Sequence, residues 1–197
     1  AERVVRAIND QMKVALVPVY RDLAGFDFAE GEADEALVRA LHRCEFLEDA
    51  QNIVFLGGPG TGKTHLATAI ALKACQHGHK VLYINAIEAI NDLITAQKQG
   101  LLKQALRKYT NIGLLVLDEI GYLPIDKNGA DLLFQIISHR YEQGSLIITT
   151  NRVFKDWPEI FNNDNTLTSA LLDRLLHHTE TVVIEGKSYR MKETIED

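Results

Sequence analysis

The chain contains 197 residues, enough for one sizeable hydrophobic core or for one domain with a small appendage. Hydrophobic residues make up 46% of the sequence, yet no apolar run approaches the roughly 18 residues of a membrane-spanning helix, so we expect no membrane partner. The net charge of −6 argues against a general affinity for nucleic acid. The acidic excess is uneven, because residues 1–50 hold 11 Asp or Glu against 6 Lys or Arg.

Neither the start of the chain nor the cysteines indicate export. The first twenty residues lack the continuous apolar segment of a signal peptide. Cys44 and Cys75 show no CxxC spacing, so we interpret them as reduced packing residues of a cytoplasmic protein. The pair His177-His178 is interpreted as a helix end, because no Cys or acidic residue stands at a recognised metal-site spacing.

The N-terminal part, residues 1–50, is predicted to form a helical segment and linker ahead of an ATPase domain at 51–197. A first helix is expected to end near Pro18. Alternation of apolar and polar residues favours an extended connector over 23–31. Apolar residues at helical spacing predict an amphipathic helix over 32–48.

Residues 57–64 read Gly-Gly-Pro-Gly-Thr-Gly-Lys-Thr, the spacing of a P-loop. A strand-type run precedes the loop and an alanine-rich helix follows it, as phosphate binding at a helix N-terminus requires. Main-chain N–H groups would contact phosphate oxygens, Lys63 would add positive charge at the β and γ phosphates of ATP, and Thr64 would bind Mg²⁺. The predicted nucleotide-binding residues are Gly57, Gly58, Pro59, Gly60, Thr61, Gly62, Lys63, Thr64 and His65.

From residue 53 onward the pattern alternates between strands and helices. Strands are predicted over 53–56, 81–84, 114–117, 146–149 and 181–184, and helices over 64–76, 87–98, 101–109, 129–142 and 168–177. Apolar runs with little alternation are typical of strands buried on both faces. The pattern therefore predicts an α/β fold with a parallel sheet flanked by helices, in which ligands bind at the carboxyl ends of the strands.

The third predicted strand ends in two carboxylates, Asp118 and Glu119. With a P-loop upstream, this arrangement resembles a Walker B motif. Asp118 would hold Mg²⁺, directly or through water, and Glu119 would orient the attacking water and accept its proton. The competing interpretation is a buried strand that ends in a solvated acidic turn.

Five segments together resemble one family. They read GGPGTGKTHLATAIALKA, LLVLDEIGYLP, TTNR, DRLLHH and GKSYR, and they are similar to the IstB-like transposition helper ATPases. These are AAA+ partners of transposases in bacterial insertion sequences, related to bacterial helicase loader and replication initiator ATPases. The resemblance covers about residues 20–192 and implies an AAA+ P-loop NTPase fold. Only about 20 residues follow Leu176, too few for a full C-terminal helical lid.

The resemblance also implies roles for three residues beyond the two motifs. Asn151 matches the sensor 1 position, where an amide contacts the γ phosphate and the attacking water; the alternative is that it starts a turn. Arg174 matches the arginine finger, which would act catalytically on ATP bound by a neighbouring subunit; the alternative is a solvated pair with Asp173. Arg190 matches the sensor 2 arginine, although it would have to reach the nucleotide from a short tail.

What the resemblance implies for function is an assembly. ATP would bind at the junction of two subunits of a homo-oligomer, and the assembly would bind duplex DNA and assist a transposase in target selection. A replicative helicase loader is the alternative, because its ATPase core would look almost the same. A small-molecule kinase and a non-hydrolysing ATP switch are further alternatives.

A basic cluster within residues 94–110, after the second predicted strand, is the candidate DNA contact. In the related initiators and loaders this helical region faces a central channel, and basic residues there would meet phosphates without reading the sequence. The alternative is a solvated helix face. The residues are Lys98, Lys103, Arg107 and Lys108.

Overall fold

Five parallel strands form a single sheet in the computed structural model, which describes residues 2–17, 21–30 and 33–185. The spatial order is β2-β3-β4-β1-β5, so the first strand lies between the last two. The strands are β1 Asn52–Gly57, β2 Val81–Asn85, β3 Leu114–Ile120, β4 Ser145–Thr150 and β5 Thr179–Ile184. Each predicted strand lies within an observed one, and the predicted α/β fold with a parallel sheet is confirmed.

Eight α-helices surround this sheet within the described residues. They are α1 Glu2–Ala15, α2 Glu35–His42, α3 Lys63–Gln76, α4 Ala86–Lys98, α5 Leu102–Thr110, α6 Lys127–Arg140, α7 Trp157–Ile160 and α8 Asn165–Leu176. No helix in this part of the chain is both long and apolar enough to cross a membrane.

Side-chain caps explain why two helices begin earlier than predicted. The carboxylate of Asp126 accepts a hydrogen bond from the N–H of Gly129 at 2.7 Å, and Asp164 accepts one from Leu167 at 2.9 Å. Each Asp satisfies a helix donor that has no intrahelical partner. The apolar periodicity used for prediction starts only after these polar first turns, so it placed both boundaries too late.

The predicted segments before the sheet differ from the structure in two places. The helix predicted over 32–48 is interrupted, because α2 ends at His42 and Cys44 adopts a left-handed φ of 64°. The predicted extended connector contains a 3-10 turn at Leu23–Gly25, closed by a hydrogen bond from the N–H of Gly25 to Asp22. Spacing along the chain shows neither change, since the first depends on one left-handed backbone angle and the second on a hydrogen bond to the Asp22 side chain.

Strands β1 to β4 are buried on both faces, as their apolar runs predicted, whereas the edge strand β5 exposes Glu180 and Val183. One face is covered by α3 together with α1 and α2; Ile53, Phe55 and Tyr83 point to this side, and we call it the α3 face. The other face is covered by α4, α6 and α8, with Val54 and Leu117 in its core. Val38, Leu41 and Phe46 from the N-terminal segment share the cluster of the α3 face.

The two ends of the strands differ in what they carry. We call the edge where the strands end, after Gly57, Asn85 and Thr150, the carboxyl edge, and the edge where they begin the amino edge. At the amino edge the buried guanidinium of Arg140 donates hydrogen bonds only to main-chain carbonyls, and burial lowers its pKa to about 10. It thereby fixes the loops that start β3 and β4, through the carbonyls of Tyr109, Ile112, Gly113 and Ser145.

Candidate active site

The P-loop runs from the end of β1 to the start of α3. Gly62 stands at the N-cap of α3 with φ 92°, and no side chain caps the helix there. A Cβ at this position would lie 2.5 Å from the ring of Phe26, so both the backbone angle and the space require glycine. The uncapped first turn leaves helix N–H groups directed at the adjoining cavity of about 500 Å³, a suitable site for an anion.

Lys63 is 96% buried, and its side chain folds back onto the first residues of the P-loop. Its ammonium donates hydrogen bonds to the carbonyls of Gly57 at 2.7 Å and Gly58 at 2.6 Å. Burial lowers the pKa of Lys63, and the nearby carboxylates of Asp118 and Glu119 oppose that shift. The predicted phosphate-binding cation therefore lies between the loop carbonyls and the predicted Walker B carboxylates.

The two predicted metal ligands come together although they are far apart in the chain. The hydroxyl of Thr64 lies 3.3 Å and 3.5 Å from the two carboxylate oxygens of Asp118. The hydroxyl of Thr149, on the neighbouring strand β4, also donates to Asp118. A hydroxyl and a carboxylate beside a phosphate-binding loop are oxygen ligands of the kind that Mg²⁺ takes, so these residues fit the ion.

Glu119 lies next to Asp118 in an unusual backbone conformation. Its φ is 63°, within a shift of the strand register between Leu117 and Ile120. Its N–H donates to the hydroxyl of Thr149 at 2.8 Å. The left-handed residue turns the Glu119 side chain toward the cavity that the P-loop lines, where a water-activating carboxylate is needed.

Asn85 is a site residue that the sequence did not reveal. Its amide donates a hydrogen bond of 2.9 Å to the carboxylate of Glu119, while its carbonyl oxygen caps α4 by accepting from the N–H of Ile87. The signal was a polar residue at the end of an apolar strand. Using it requires knowing that β2 lies beside β3, where Asn85 pairs in register with Asp118.

The connector before α2 also reaches the P-loop. Arg21 lines the same cavity, and the ring of Phe26 meets that of His65 edge to face with centroids 5.4 Å apart. His65 Nε2 lies 2.8 Å from the carbonyl oxygen of Asp22. His65 was predicted as part of the nucleotide site, whereas Arg21 and Phe26 were missed because no motif marks them.

Asn151 follows β4 at the carboxyl edge, and β4 lies between the strands that carry the P-loop and Glu119. Its side chain is exposed, and the next N–H, from Arg152, bonds to the hydroxyl of Thr150 at 3.1 Å. A turn therefore begins at Asn151, at an edge position next to the predicted catalytic carboxylate. Its sensor role stays a prediction.

Arg174 and the P-loop of the same chain lie at opposite edges of the sheet. It belongs to the last turn of α8, which leads directly to the start of β5 at the amino edge. The carbonyl of His178 there accepts a hydrogen bond from the N–H of Asn52, the first residue of β1, and β1 spans roughly 20 Å before the P-loop begins. The structure thus separates Arg174 from its own P-loop. The predicted sensor at Arg190 lies outside the described residues.

The guanidinium of Arg174 is half-buried and packs against α6. One nitrogen donates to the carbonyl of Ala170 at 3.2 Å, and the group lies 5.1 Å from the ring centroid of Phe134. Within the described ranges, Arg174 forms no ion pair, so the predicted alternative of a pair with Asp173 is absent there.

Three exposed groups that offer metal ligands meet at the same amino edge. Glu142, from the turn after α6, lies 3.8 Å from the imidazole of His177, and the ligand atoms of Glu142, His177 and His178 lie within 4.8 Å of one another. The histidines do stand at a helix end, as interpreted from the sequence. Their acidic neighbour was missed because it comes from a distant part of the chain.

The predicted basic cluster divides into two kinds of residue. Lys98, Lys103 and Arg107 are exposed at the end of α4 and on α5, and they form no ion pair in the part of the chain that the structure describes. Lys108 differs, because it pairs with Asp92 at 3.4 Å and lies 5.3 Å from the ring centroid of Tyr109. The first three are the accessible cations.

Comparison with known sequences decides the family. The sequence profile described as IstB-like ATP binding protein matches residues 1–197. The chain belongs to this family. An ATP-binding protein assigned to insertion sequence IS21 of Pseudomonas aeruginosa is 42% identical over 189 residues, which cover 95% of this chain and 71% of the relative. One assigned to insertion sequence IS5376 of Geobacillus stearothermophilus is 40% identical over 193 residues, covering 98% and 76%.

Solved structures show the same architecture around the P-loop of this IstB-like protein. The DnaC helicase loader superposes with a TM-score of 0.65 at 22% identity, over 89% of this chain and 98% of that chain. The replication initiator DnaA bound to AMPPCP and single-stranded DNA gives 0.67 at 23% identity, over 89% and 54%. These similarities confirm the predicted AAA+ P-loop fold, and the family match confirms the predicted resemblance to IstB-like proteins.

Proposed function

We propose that this IstB-like protein is a Mg²⁺-dependent ATPase that assembles on duplex DNA in the cytoplasm and assists a transposase in choosing its target. The observation that carries the proposal is the carboxyl edge, where the P-loop, Thr64, Asp118 and Glu119 converge. In this proposal, residues 51–197 form the ATPase domain, and residues 1–50 form a helical segment and linker before it.

The chemistry follows from the positions of these side chains. The N–H groups of the P-loop and the Lys63 ammonium bind the phosphates, and Thr64 with Asp118 holds Mg²⁺. When bound, Mg²⁺ neutralises charge that develops on the transferred phosphoryl group. Glu119 orients a water molecule and accepts its proton as the water attacks the γ phosphorus, and Asn151 contacts the same water. The bond from the γ phosphorus to the β–γ bridging oxygen breaks, and ADP leaves with that oxygen.

The hydrogen bond from Asn85 bears on this step. A carboxylate that accepts an amide N–H at 2.9 Å is less free to accept a proton from water. We infer that Asn85 restrains Glu119 until other contacts at the site release it. Because Asn85 also caps α4, movement of that helix is a direct route by which DNA on the basic cluster can release Glu119.

Arg174 supports assembly into oligomers. The half-buried guanidinium at the amino edge is too far from its own P-loop to stabilise the γ phosphate, and a second subunit would bring its carboxyl edge to it. An arginine supplied from a neighbour stabilises transition-state charge and accelerates phosphoryl transfer by roughly 10³-fold or more. ATP would then bind at the junction of two subunits.

The role in transposition is supported by the relatives. Two proteins at 40% identity or more carry insertion-sequence names, and ATP binding is the property in their descriptions. The likeness to DnaC, at 22% identity, shows the fold alone and does not favour the alternative of a helicase loader. Lys98, Lys103 and Arg107 provide the positive charge for sequence-independent contacts with DNA phosphates.

The test compares the wild type with Glu119→Gln in ATP hydrolysis, with and without duplex DNA. We expect the wild type to hydrolyse ATP faster with DNA, and Glu119→Gln to lose about 10²- to 10⁴-fold in turnover while it retains ATP binding. Electron microscopy should show rings or filaments when ATP and duplex DNA are both present.

Three outcomes would contradict the proposal. Active turnover by Glu119→Gln would exclude the assigned mechanism. A monomer under all conditions would exclude a shared site. Stimulation by single-stranded DNA and a replicative helicase, in place of duplex DNA and a transposase, would favour the loader.

A further inference from the structure

A buried hydroxyl on β2 has no hydrogen-bond partner. The side chain of Tyr83 is 95% buried, and its oxygen forms no hydrogen bond with any described residue. The hydroxyl of Thr68, on α3, is also buried and unpaired within that part of the chain. Buried polar groups are nearly always hydrogen-bonded, so an unpaired hydroxyl in a core calls for an explanation.

The location of this hydroxyl suggests one. Tyr83 pairs in register with Val116, and Asp118 follows two residues later on the same strand, so both side chains point to the α3 face. Asp118 holds the hydroxyl of Thr64 at 3.3 Å, and Thr68 follows one turn later on α3, so these polar groups and the Tyr83 hydroxyl share the space between β2, β3 and α3. The phenol therefore lies beneath the predicted metal ligands.

The chemistry of the phenol limits what it can do there. A tyrosine hydroxyl carries one proton and an ionised carboxylate carries none, so between Tyr83 and Asp118 only the hydroxyl can donate. Asp118 already accepts from the hydroxyls of Thr64 and Thr149. An ionised carboxylate has about four acceptor positions, which leaves room for a further donor.

We propose that Tyr83 is a positioning residue for Asp118, and that its hydroxyl donates to this carboxylate when Mg²⁺ and ATP are bound. The inference rests on the proposed function, because it concerns the metal site of that ATPase. If Asp118 holds Mg²⁺, a donor behind its carboxylate would fix the orientation of that group toward the ion, beside the hydroxyls of Thr64 and Thr149. Partners of this kind behind metal ligands typically change metal affinity by 10- to 100-fold when removed.

A second buried tyrosine provides the matched control. The side chain of Tyr109 is fully buried like that of Tyr83, but its hydroxyl is paired, because it donates to Asp92. Tyr109 lies on α5, and its partner Asp92 on α4 has no part in the metal site. Tyr109→Phe breaks an existing hydrogen bond to Asp92. Tyr83→Phe removes a hydroxyl that forms no hydrogen bond with any described residue.

The experiment measures Mg²⁺ affinity and thermal stability in the two variants. MgCl₂ is titrated into full-length protein with a fluorescent, non-hydrolysable ATP analogue, and melting temperatures are recorded with and without both ligands. For Tyr83→Phe we expect an unchanged melting temperature without ligands, an unchanged analogue affinity in EDTA, and a half-saturating Mg²⁺ concentration about tenfold higher. For Tyr109→Phe we expect a lower melting temperature and an unchanged Mg²⁺ titration.

Two results would overturn the inference while leaving the ATPase proposal intact. One is a Mg²⁺ titration of Tyr83→Phe that superimposes on that of the wild type. The other is a loss of stability in Tyr83→Phe equal to that in Tyr109→Phe, which would indicate a structural role. If wild-type protein itself binds the analogue without any dependence on Mg²⁺, both the inference and the proposed Mg²⁺-dependent ATPase are wrong.

Discussion

The carboxyl and amino edges of the sheet present their functional side chains in opposite ways. At the carboxyl edge, Asp118 and Glu119 are tied by hydrogen bonds to Thr64, Thr149 and Asn85, each on a different element. At the amino edge, Arg174 has one main-chain hydrogen bond and an aromatic neighbour. The first edge is preorganised for chemistry, while the second holds a half-buried cation that has no ion-pair partner among the described residues. That asymmetry is what a site completed by a neighbouring subunit requires.

The largest expected effect comes from removing the guanidinium of Arg174. Arg174→Ala should lower ATP turnover in the presence of DNA by about 10³-fold, because transition-state charge loses its partner, while ATP binding by the altered subunit is unchanged. The measurement is steady-state hydrolysis beside equilibrium ATP binding. Arg39→Ala is the control, since its guanidinium also lies over an aromatic ring, 5.3 Å from the centroid of Phe28, and also on the surface.

Mixing two inactive variants tests whether Arg174 and Glu119 act on the same ATP from two different subunits. Arg174→Ala retains Glu119, and Glu119→Gln retains Arg174, so a mixed oligomer contains some junctions in which both groups are intact. Turnover should therefore recover to a substantial fraction of the wild-type rate on mixing. A mixture as inactive as its components would show that both residues act on ATP within one subunit, and the comparison of the two edges would lose its functional meaning.

A smaller effect is expected from the residue that holds Glu119. Asn85→Ser keeps a side chain able to cap α4 but removes the amide that reaches the Glu119 carboxylate. Because the restrained carboxylate is released, turnover without DNA should rise severalfold, and one hydrogen bond to a charged group, worth about 1.5–3 kcal/mol, sets an upper bound of roughly 10²-fold. The ratio of DNA-stimulated to basal turnover should fall accordingly.

Asp164→Ser controls for the change of cap. It makes a similar substitution at the start of α8, where Asp164 accepts hydrogen bonds from Leu167 and Thr168. None of the described hydrogen bonds joins Asp164 to Glu119. This variant should lose a little stability and keep its basal rate. If Asn85→Ser leaves the DNA dependence of hydrolysis unaltered, Asn85 only caps α4.

The sequence predicted the parts of this site that depend on neighbours along the chain. The P-loop and the Asp118-Glu119 pair carry their own local pattern, and apolar runs located all five strands. The contacts from Thr149 to Asp118 and from Asn85 to Glu119 were missed, because they exist only in the order β2-β3-β4-β1. Strand order depends on packing between distant segments, which no local period encodes.

The same limit applies to the segment before the sheet. Phe26 reaches the P-loop because a 3-10 turn at Leu23–Gly25 directs the connector there, and the alternating pattern favoured an extended strand-like course. The starts of α6 and α8 were predicted too late for a related reason, since the capping residues Asp126 and Asp164 lie outside the apolar period. What sequence reasoning missed are hydrogen bonds of single polar side chains.

The smallest expected effect concerns the basic residues of α4 and α5. Lys103→Ala combined with Arg107→Ala removes two exposed cations that lie one helical turn apart on α5. If both contact phosphates, the slope of log affinity for duplex DNA against log salt should become shallower by about 2, with a loss spread evenly over DNA sequences. Fluorescence anisotropy over a range of salt concentrations measures it.

Lys108→Ala is the matched control, because its ammonium already pairs with Asp92 and stacks on Tyr109. It should change the salt slope by much less than one unit. Equal effects from Lys108 and from Lys103 would indicate a diffuse electrostatic contribution of the whole helix. An unchanged slope in the double variant would place the DNA contact elsewhere, and the restraint of Glu119 by Asn85 would then need another route of release than movement of α4.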